Sequence, residues 1–176
     1  MKLILDNSQI TDGSRLLTGG AGHVLYHRDA VPLGPFDADP LDLWQLLGGA
    51  AGMSGPDLRA RAATWLLGAL EGAGVDIRAF DRGAVRLLTG DTGVPEIQVI
   101  AGWIARAKRA KPGRLSMPDY RRTPTERLLD ALDQAGVRLG SYDAHLPRFL
   151  AEDYGPRTVR AVAGWLGRTG RREERG

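Results

Sequence analysis

The sequence contains no cysteine. That excludes disulfide staples, thiolate metal sites and cysteine nucleophiles, and it is compatible with a reducing compartment. Lysine is scarce as well. Lys2, Lys108 and Lys111 are the only lysines among 24 basic residues, so arginine carries the positive charge. With so much Ala, Gly and Leu, this composition points to a GC-rich genome, a matter of codons rather than chemistry. Aromatic residues make up 6% of the chain and there are three histidines. No apolar run approaches the roughly 20 residues of a membrane span, so no membrane partner is expected. The opening Met1-Lys2-Leu3-Ile4-Leu5-Asp6 meets an acid too soon for a signal peptide, and the expected location is cytoplasmic.

What the chain does have is size enough for a core. A length of 176 residues fits one compact domain or two small ones. Roughly 70% of the unfolded surface can be buried at that length, so no metal staple is required. The net charge of +3 is unevenly spread. Residues 1–55 carry three basic and six acidic groups, residues 56–113 nine and six, and residues 114–176 twelve and nine. An acidic head precedes a mildly basic remainder, which permits contact with nucleic acid without demanding it.

The basic part contains one sequence twice. Leu66 to Arg106 aligns with Leu128 to Arg168 at a constant offset of 62 and without a gap; 16 of the 41 positions are identical. Shared residues include Leu66/Leu128, Leu70/Leu132, Gly74/Gly136, Asp81/Asp143, Gly102/Gly164, Trp103/Trp165 and Arg106/Arg168. A fixed period means one structural unit used twice. Most shared residues are apolar at helical spacing and are assigned to the core. Gly74/Gly136 reads as a helix terminator and Asp81/Asp143 as a cap. Gly inside a helix costs roughly 1 kcal/mol against Ala. Its recurrence at Gly102 and Gly164 therefore suggests a close approach by another backbone. Trp103 and Trp165 read as core plugs.

Taken in order, residues 1–36 read as short strands, with Leu3–Leu5, Arg15–Leu17 and His23–His27 as candidates and Asp12-Gly13 as a turn. Asp39-Pro40-Leu41-Asp42 starts a helix that runs to Leu47. Ser54-Gly55-Pro56-Asp57 starts the next, carrying Leu58, Ala62, Trp65, Leu66, Ala69, Leu70 and Ala73 on one face. Further helices are expected from near Asp81 to Leu88 and from Val94 to Ala107. Residues 111–122 hold Pro112, Gly113 and Pro118 and read as a linker. Thr123-Pro124-Thr125-Glu126 is a full capping box opening the second unit. Its helices fall near 124–135, 143–152 and 156–167.

The spacing Ala135-Gly136-Val137, Asp143 and Val159 to Arg168, ending in Ala-Gly-Trp-Leu-Gly-Arg, resembles a pattern of short uncharacterised proteins of actinobacteria and their phages. The resemblance covers both repeats and implies the module, but it brings no activity. The second and third helices of each unit also resemble a helix-turn-helix, with Gly155-Pro156-Arg157-Thr158-Val159-Arg160 as the start of a recognition helix. The first unit departs from that pattern, because Pro95 and Glu96 sit where phosphate contacts belong.

The polar residues bear on three chemistries. For nucleic acid, Arg157, Thr158 and Arg160 lead, with Lys108, Arg109, Lys111, Arg121 and Arg122 on the backbone; Arg106, Arg114, Arg168, Arg171 and Arg172 extend the basic runs. The plainer reading is a solvated surface that complements helix dipoles. For a metal, His23 and His27 share a strand face beside Asp29, but two ligands are too few. For catalysis, Asp37, Asp39 and Asp42 cluster and Asp81, Asp91, Asp143 and Asp153 recur, yet each sits where Asp caps or turns. Thr18 to Gly22 and Gly48 to Gly52 lack the Gly-Lys-Ser/Thr ending of a phosphate loop.

The expected fold is α+β and predominantly α. A small N-terminal β meander with one short helix (1–53) precedes helical module 1 (54–110), a linker (111–122), helical module 2 (123–169) and a tail (170–176). The expected function is a non-enzymatic accessory or regulatory binding protein that contacts DNA through helix-turn-helix-like modules. The alternative is a protein-interaction adaptor, or a phage-type structural or inhibitory protein, with self-association as one form of it. No cofactor, metal or small-molecule substrate is expected.

Overall fold

A computed structural model of the chain describes residues 17–19, 23–25, 34–46, 52–110 and 121–169. Seven helices account for nearly all of it. They are α1 (Pro40–Leu46), α2 (Gly55–Gly72), α3 (Ala79–Asp91), α4 (Val94–Arg109), α5 (Pro124–Gln134), α6 (Leu146–Asp153) and α7 (Gly155–Leu166). A 3-10 turn, Asp143–His145, leads into α6.

The expected α+β class is corrected: among the described residues the fold is helical, with no sheet layer. Extended backbone among the described residues is a three-residue antiparallel pairing of Leu17–Gly19 with His23–Leu25. That is far below what a sheet layer needs. The apolar runs of the head are about three residues long, too short to present a face that a helix could cover. The other proposed strands, Leu3–Leu5 and most of Arg15–Leu17, lie outside the described residues, as do the tail and most of the linker.

The helix starts follow local chemistry. At α2, Ser54 Oγ accepts from the Asp57 amide at 3.3 Å while Asp57 Oδ2 accepts from the Ser54 amide at 3.3 Å. At α5, Thr123 and Glu126 exchange the same pair of bonds, at 3.3 and 2.7 Å. Asp39 Oδ1 accepts from the Leu41 amide at 2.7 Å at the start of α1. The stops repeat as well. Gly74 and Gly136 take φ of 69° and 67°, a left-handed turn that favours glycine. The Val75 amide then reaches back to the Leu70 carbonyl and the Val137 amide to that of Leu132, both at 2.9 Å. Each closes a Schellman motif and buries its valine.

One core runs through both units. Leu66, Leu70, Leu88, Ile97, Ile100, Trp103 and Ile104 meet Leu128, Leu132, Leu150, Val162 and Trp165 in it. Both tryptophans are fully buried, as expected of core plugs. Within each unit the first and third helices pack together, α2 with α4 and α5 with α7. Between units, α7 packs on α3 and α4. The head helix α1 packs on α4.

Most of the shared apolar residues are buried, with one exception, and one expectation about the shared glycines fails. Leu67 and Leu129 are identical and apolar yet exposed in both copies, so they are not core. At Gly164 an added Cβ would meet nothing within 4 Å, so no neighbouring backbone requires that glycine.

Candidate interaction surfaces and the crossed aspartate corners

The duplicated aspartates tie the repeats together. Asp81 opens α3 as its third residue, and its Oδ2 accepts from the Arg78 amide at 2.9 Å. Its Oδ1 accepts from Trp165 Nε1 at 3.0 Å and Arg168 Nη2 at 2.9 Å, both from the other repeat. Asp143 mirrors this, since its Oδ2 pairs with Arg106 Nη2 of the first repeat at 2.7 Å. Each module therefore gives an aspartate to its partner and receives an arginine from it. This reciprocity defines an approximate two-fold relation between the copies.

The corners differ in what surrounds them. At Asp143, the segment Gly34 to Asp37 lies across the start of the 3-10 turn as a strap. Phe36 donates its amide to Asp143 Oδ1 at 3.2 Å, and its carbonyl accepts from the amides of Tyr142 at 3.0 Å and Asp143 at 3.3 Å. Asp37 Oδ1 accepts from the Ser141 amide at 2.9 Å. The Phe36 ring faces the Arg106 guanidinium, 5.9 Å from ring centroid to Cζ. Gly140 makes room, because a Cβ there would overlap the Phe36 carbonyl. Its counterpart is Arg78. Trp103 Nε1 stands beside Asp143 but finds no hydrogen-bond partner of ordinary geometry among the described residues.

The electrostatics diverge accordingly. Burial alone would raise the Asp81 carboxyl, but Arg168, the Arg78 amide and Trp165 together hold it below the ordinary carboxylate value. Burial dominates at Asp143 and raises its carboxyl, against the pull of Arg106 and the Phe36 amide. Burial also raises Glu96 and the Tyr142 phenol, with the Asp39 charge adding to both.

These corners take up two arginines of the basic runs. Arg106 and Arg168 are committed to Asp143 and Asp81 rather than free for phosphate. Thr158 is 2% exposed, and its hydroxyl donates to the Tyr154 carbonyl at 3.1 Å. It cannot reach a base edge. Arg157, Arg160, Lys108, Arg109, Arg121 and Arg122 are exposed; Arg122 pairs with Asp130, and Lys111 lies outside the described residues. The helix-turn-helix likeness fails in the first unit for a simple reason. A recognition helix must be free on one face, and α4 is buried continuously from Ile97 to Ile104. The Asp–Trp–Arg crossing was missed from the sequence, although all three residues are identical between the repeats. Their joint recurrence was the available signal.

Exposed apolar groups stand elsewhere. Phe80 is 52% and Leu87 37% exposed, seven residues apart and so on one face of α3. Gly83 and Gly90 lie on the same face, and an added Cβ at either would meet open space. The counterparts Tyr142 and Phe149 are half-buried, Phe149 stacking edge-on against Tyr154 with centroids 5.7 Å apart.

Among the described residues, no group of three or more His, Asp or Glu is arranged to hold a metal ion. No helix there is long and apolar enough to cross a membrane. His27 and Asp29 lie outside the described residues. No family model, curated protein or solved structure matches the chain.

Proposed function

We propose that this is a non-enzymatic accessory or regulatory binding protein whose partner is another protein. The observation that supports this best is the α3 face, with Phe80 and Leu87 exposed beside the bare positions Gly83 and Gly90. Exposed aromatic and aliphatic anchors on adjoining turns are the usual centre of a protein contact. Leu67 and Leu129, exposed at one position in both repeats, add to it. Asp81 and Asp143, which recur between the repeats, pair with arginines across the joint between modules. A cytoplasmic site of action belongs to the proposal and rests on the cysteine-free composition.

The test uses the full chain as bait, beside a variant carrying Phe80→Ser and Leu87→Ser. The expected outcome is a protein retained by the parent and lost by the variant. Surface changes of this kind shift stability by only about 0.5 kcal/mol, so the melting temperature should hold. Equal retention by both baits sinks this reading.

DNA binding is the second reading. It is favoured by Arg157 and Arg160, exposed on α7, with Lys108 and Arg109 exposed at the end of α4. Anisotropy on a random duplex should then fall as a power of salt concentration and weaken with Arg160→Ala. Indifference to both counts against it.

A further inference from the structure

The charges on α3 work against the helix that carries them. Arg78, Arg82 and Arg86 follow one another at four-residue steps, and all three are exposed. Like charges four apart on a helix repel. Arg78 is also the N-cap of α3, at the positive end of the helix dipole, where acids are favoured. No acid of the described residues offsets them, since none of the three guanidinium groups makes an ion pair or hydrogen bond there. The second repeat has Gly140, Ala144 and Arg148 at these positions, and Arg148 pairs with Glu152, four residues on, at 2.7 Å. The counterpart of Glu152 is Gly90, so Arg86 is denied that pairing. Beside the arginines lies the stripe Phe80, Gly83, Leu87 and Gly90. Its steps of three, four and three are the seam spacing of two packed helices. The glycines leave open space between the two exposed side chains.

We infer that this face of α3 seats an amphipathic helix of a partner protein, apolar at three- and four-residue steps along one side and acidic along the adjoining edge. The inference rests on the protein-partner reading above and adds the chemistry of the partner. The open positions Gly83 and Gly90 receive its apolar side chains, as holes receive knobs, while Phe80 and Leu87 pack between them. Carboxylates four apart on its edge match the arginines, whose steps are about 6 Å along the helix. Such complementarity fixes register and speeds encounter. Two acids of this chain stand near the ends of the face. Asp76 precedes α3, and Asp91 is its last residue, where Arg59 of α2 donates to the Gly90 carbonyl. Asp81 is turned inward to Trp165 and Arg168. The middle of the face, at Arg82 and Arg86, therefore presents positive charge alone. A second copy of α3 fits less well, because antiparallel pairing through the stripe sets the two arginine edges side by side. Nucleic acid would engage the arginines but not the aliphatic side of the stripe.

The probe is a fluorescent synthetic helix of about 18 residues, with Leu at the apolar steps and Glu along the adjoining edge. A control peptide carries Lys in place of Glu, and each is titrated against the full chain. The Glu peptide should bind saturably, and the Lys peptide at least tenfold more weakly. Arg82→Glu with Arg86→Glu should weaken the Glu peptide at least tenfold. Arg157→Glu with Arg160→Glu, on α7, should change it less than twofold. All four arginines are exposed, so circular dichroism and melting temperature should match the parent. Absence of saturable binding overturns the inference. So does equal binding of the two peptides, or binding that the α3 substitutions leave unchanged, since charge then does not choose the partner. Light scattering is run alongside. A dimer that Phe80→Ser with Leu87→Ser dissolves would give the face to a second copy, and a random duplex that binds where the Glu peptide does not would give it to nucleic acid; either overturns it. The protein captured in the earlier test separates the two readings. If Phe80→Ser with Leu87→Ser loses it but Arg82→Glu with Arg86→Glu keeps it, the protein-partner reading stands and this inference falls.

Discussion

The Asp81 and Asp143 corners are built from the same three residues, yet they solve helix initiation differently. At α3 the helix caps itself, since Asp81 reaches back three residues to the Arg78 amide and leaves its second oxygen for Trp165 and Arg168. At the start of α6 the cap comes from outside. Phe36 gives its amide to Asp143 and its carbonyl to two orphan amides of the turn. Trp103 Nε1 stands beside Asp143 without a hydrogen bond of ordinary geometry among the described residues, whereas Trp165 donates to Asp81. One substitution between the copies admits the outside cap: Gly140, where a Cβ would overlap the strap, stands in place of Arg78. A duplicated module has kept its joint and changed its neighbour.

The largest expected effect separates the two ion pairs. Arg106 is 12% exposed and Arg168 27%. Asp143→Ala strands a charge that has little access to water and should destabilise the fold by about 3–5 kcal/mol. Asp81→Ala leaves an arginine able to turn to solvent, and the loss should be nearer the cost of unmade hydrogen bonds, about 1–3 kcal/mol. Urea denaturation of both variants checks the order. Equal losses would mean that the strap adds nothing to the burial of Arg106.

Next comes the strap itself. Gly140→Ala should cost about 1–3 kcal/mol, as overpacking against a backbone atom does, and it should speed hydrogen exchange at the Tyr142 and Asp143 amides. The reciprocal change, Arg78→Gly, falls at an exposed position and should alter stability far less. If Gly140→Ala leaves those amides protected, the strap is not their cap.

Acid should divide the corners by sign. Asp81 is held below its ordinary 3.8, so its ionisation stabilises the fold above that pH, and the contribution is lost as pH falls through the folded value. Asp143 is raised above 3.8, so its contribution is fullest below that pH and shrinks as pH rises through the folded value. Asp81→Asn should therefore hurt less at pH 3 than at pH 7, and Asp143→Asn more. Denaturant midpoints at the two pH values decide it, and a common sign would erase the electrostatic difference between the corners.

Much of this was legible in the chain, and the reasons for the rest are physical. Caps and stops are local, so Ser54, Thr123, Gly74 and Gly136 could be read where they stand. The helix periods were likewise visible. The β meander fails where the head is described, because a pairing of three residues, Leu17–Gly19 with His23–Leu25, is too short to build a sheet face. Arg106 and Arg168 were read as basic surface, because a sequence shows charge but not the partner that folding brings up from the other repeat. Thr158 was assigned to the front of its helix. A threonine there can as readily turn its hydroxyl to the carbonyl four residues back, and that is what it does.

The smallest effect tests whether identity between the copies implies a shared need. Gly102 is buried in α4, whereas Gly164 is half-exposed in α7 with open space beyond its Cα. If helix packing had kept both glycines, Gly164→Ala would destabilise. With nothing for a Cβ to meet, the change should instead raise stability by up to about 1 kcal/mol, the helix-propensity difference between the two residues. Thermal melting resolves a shift of that size. A gain would mean that folding does not require the second glycine, and that identity between the copies does not imply a shared packing need. A loss would mean that a neighbour does lie against α7 at this position.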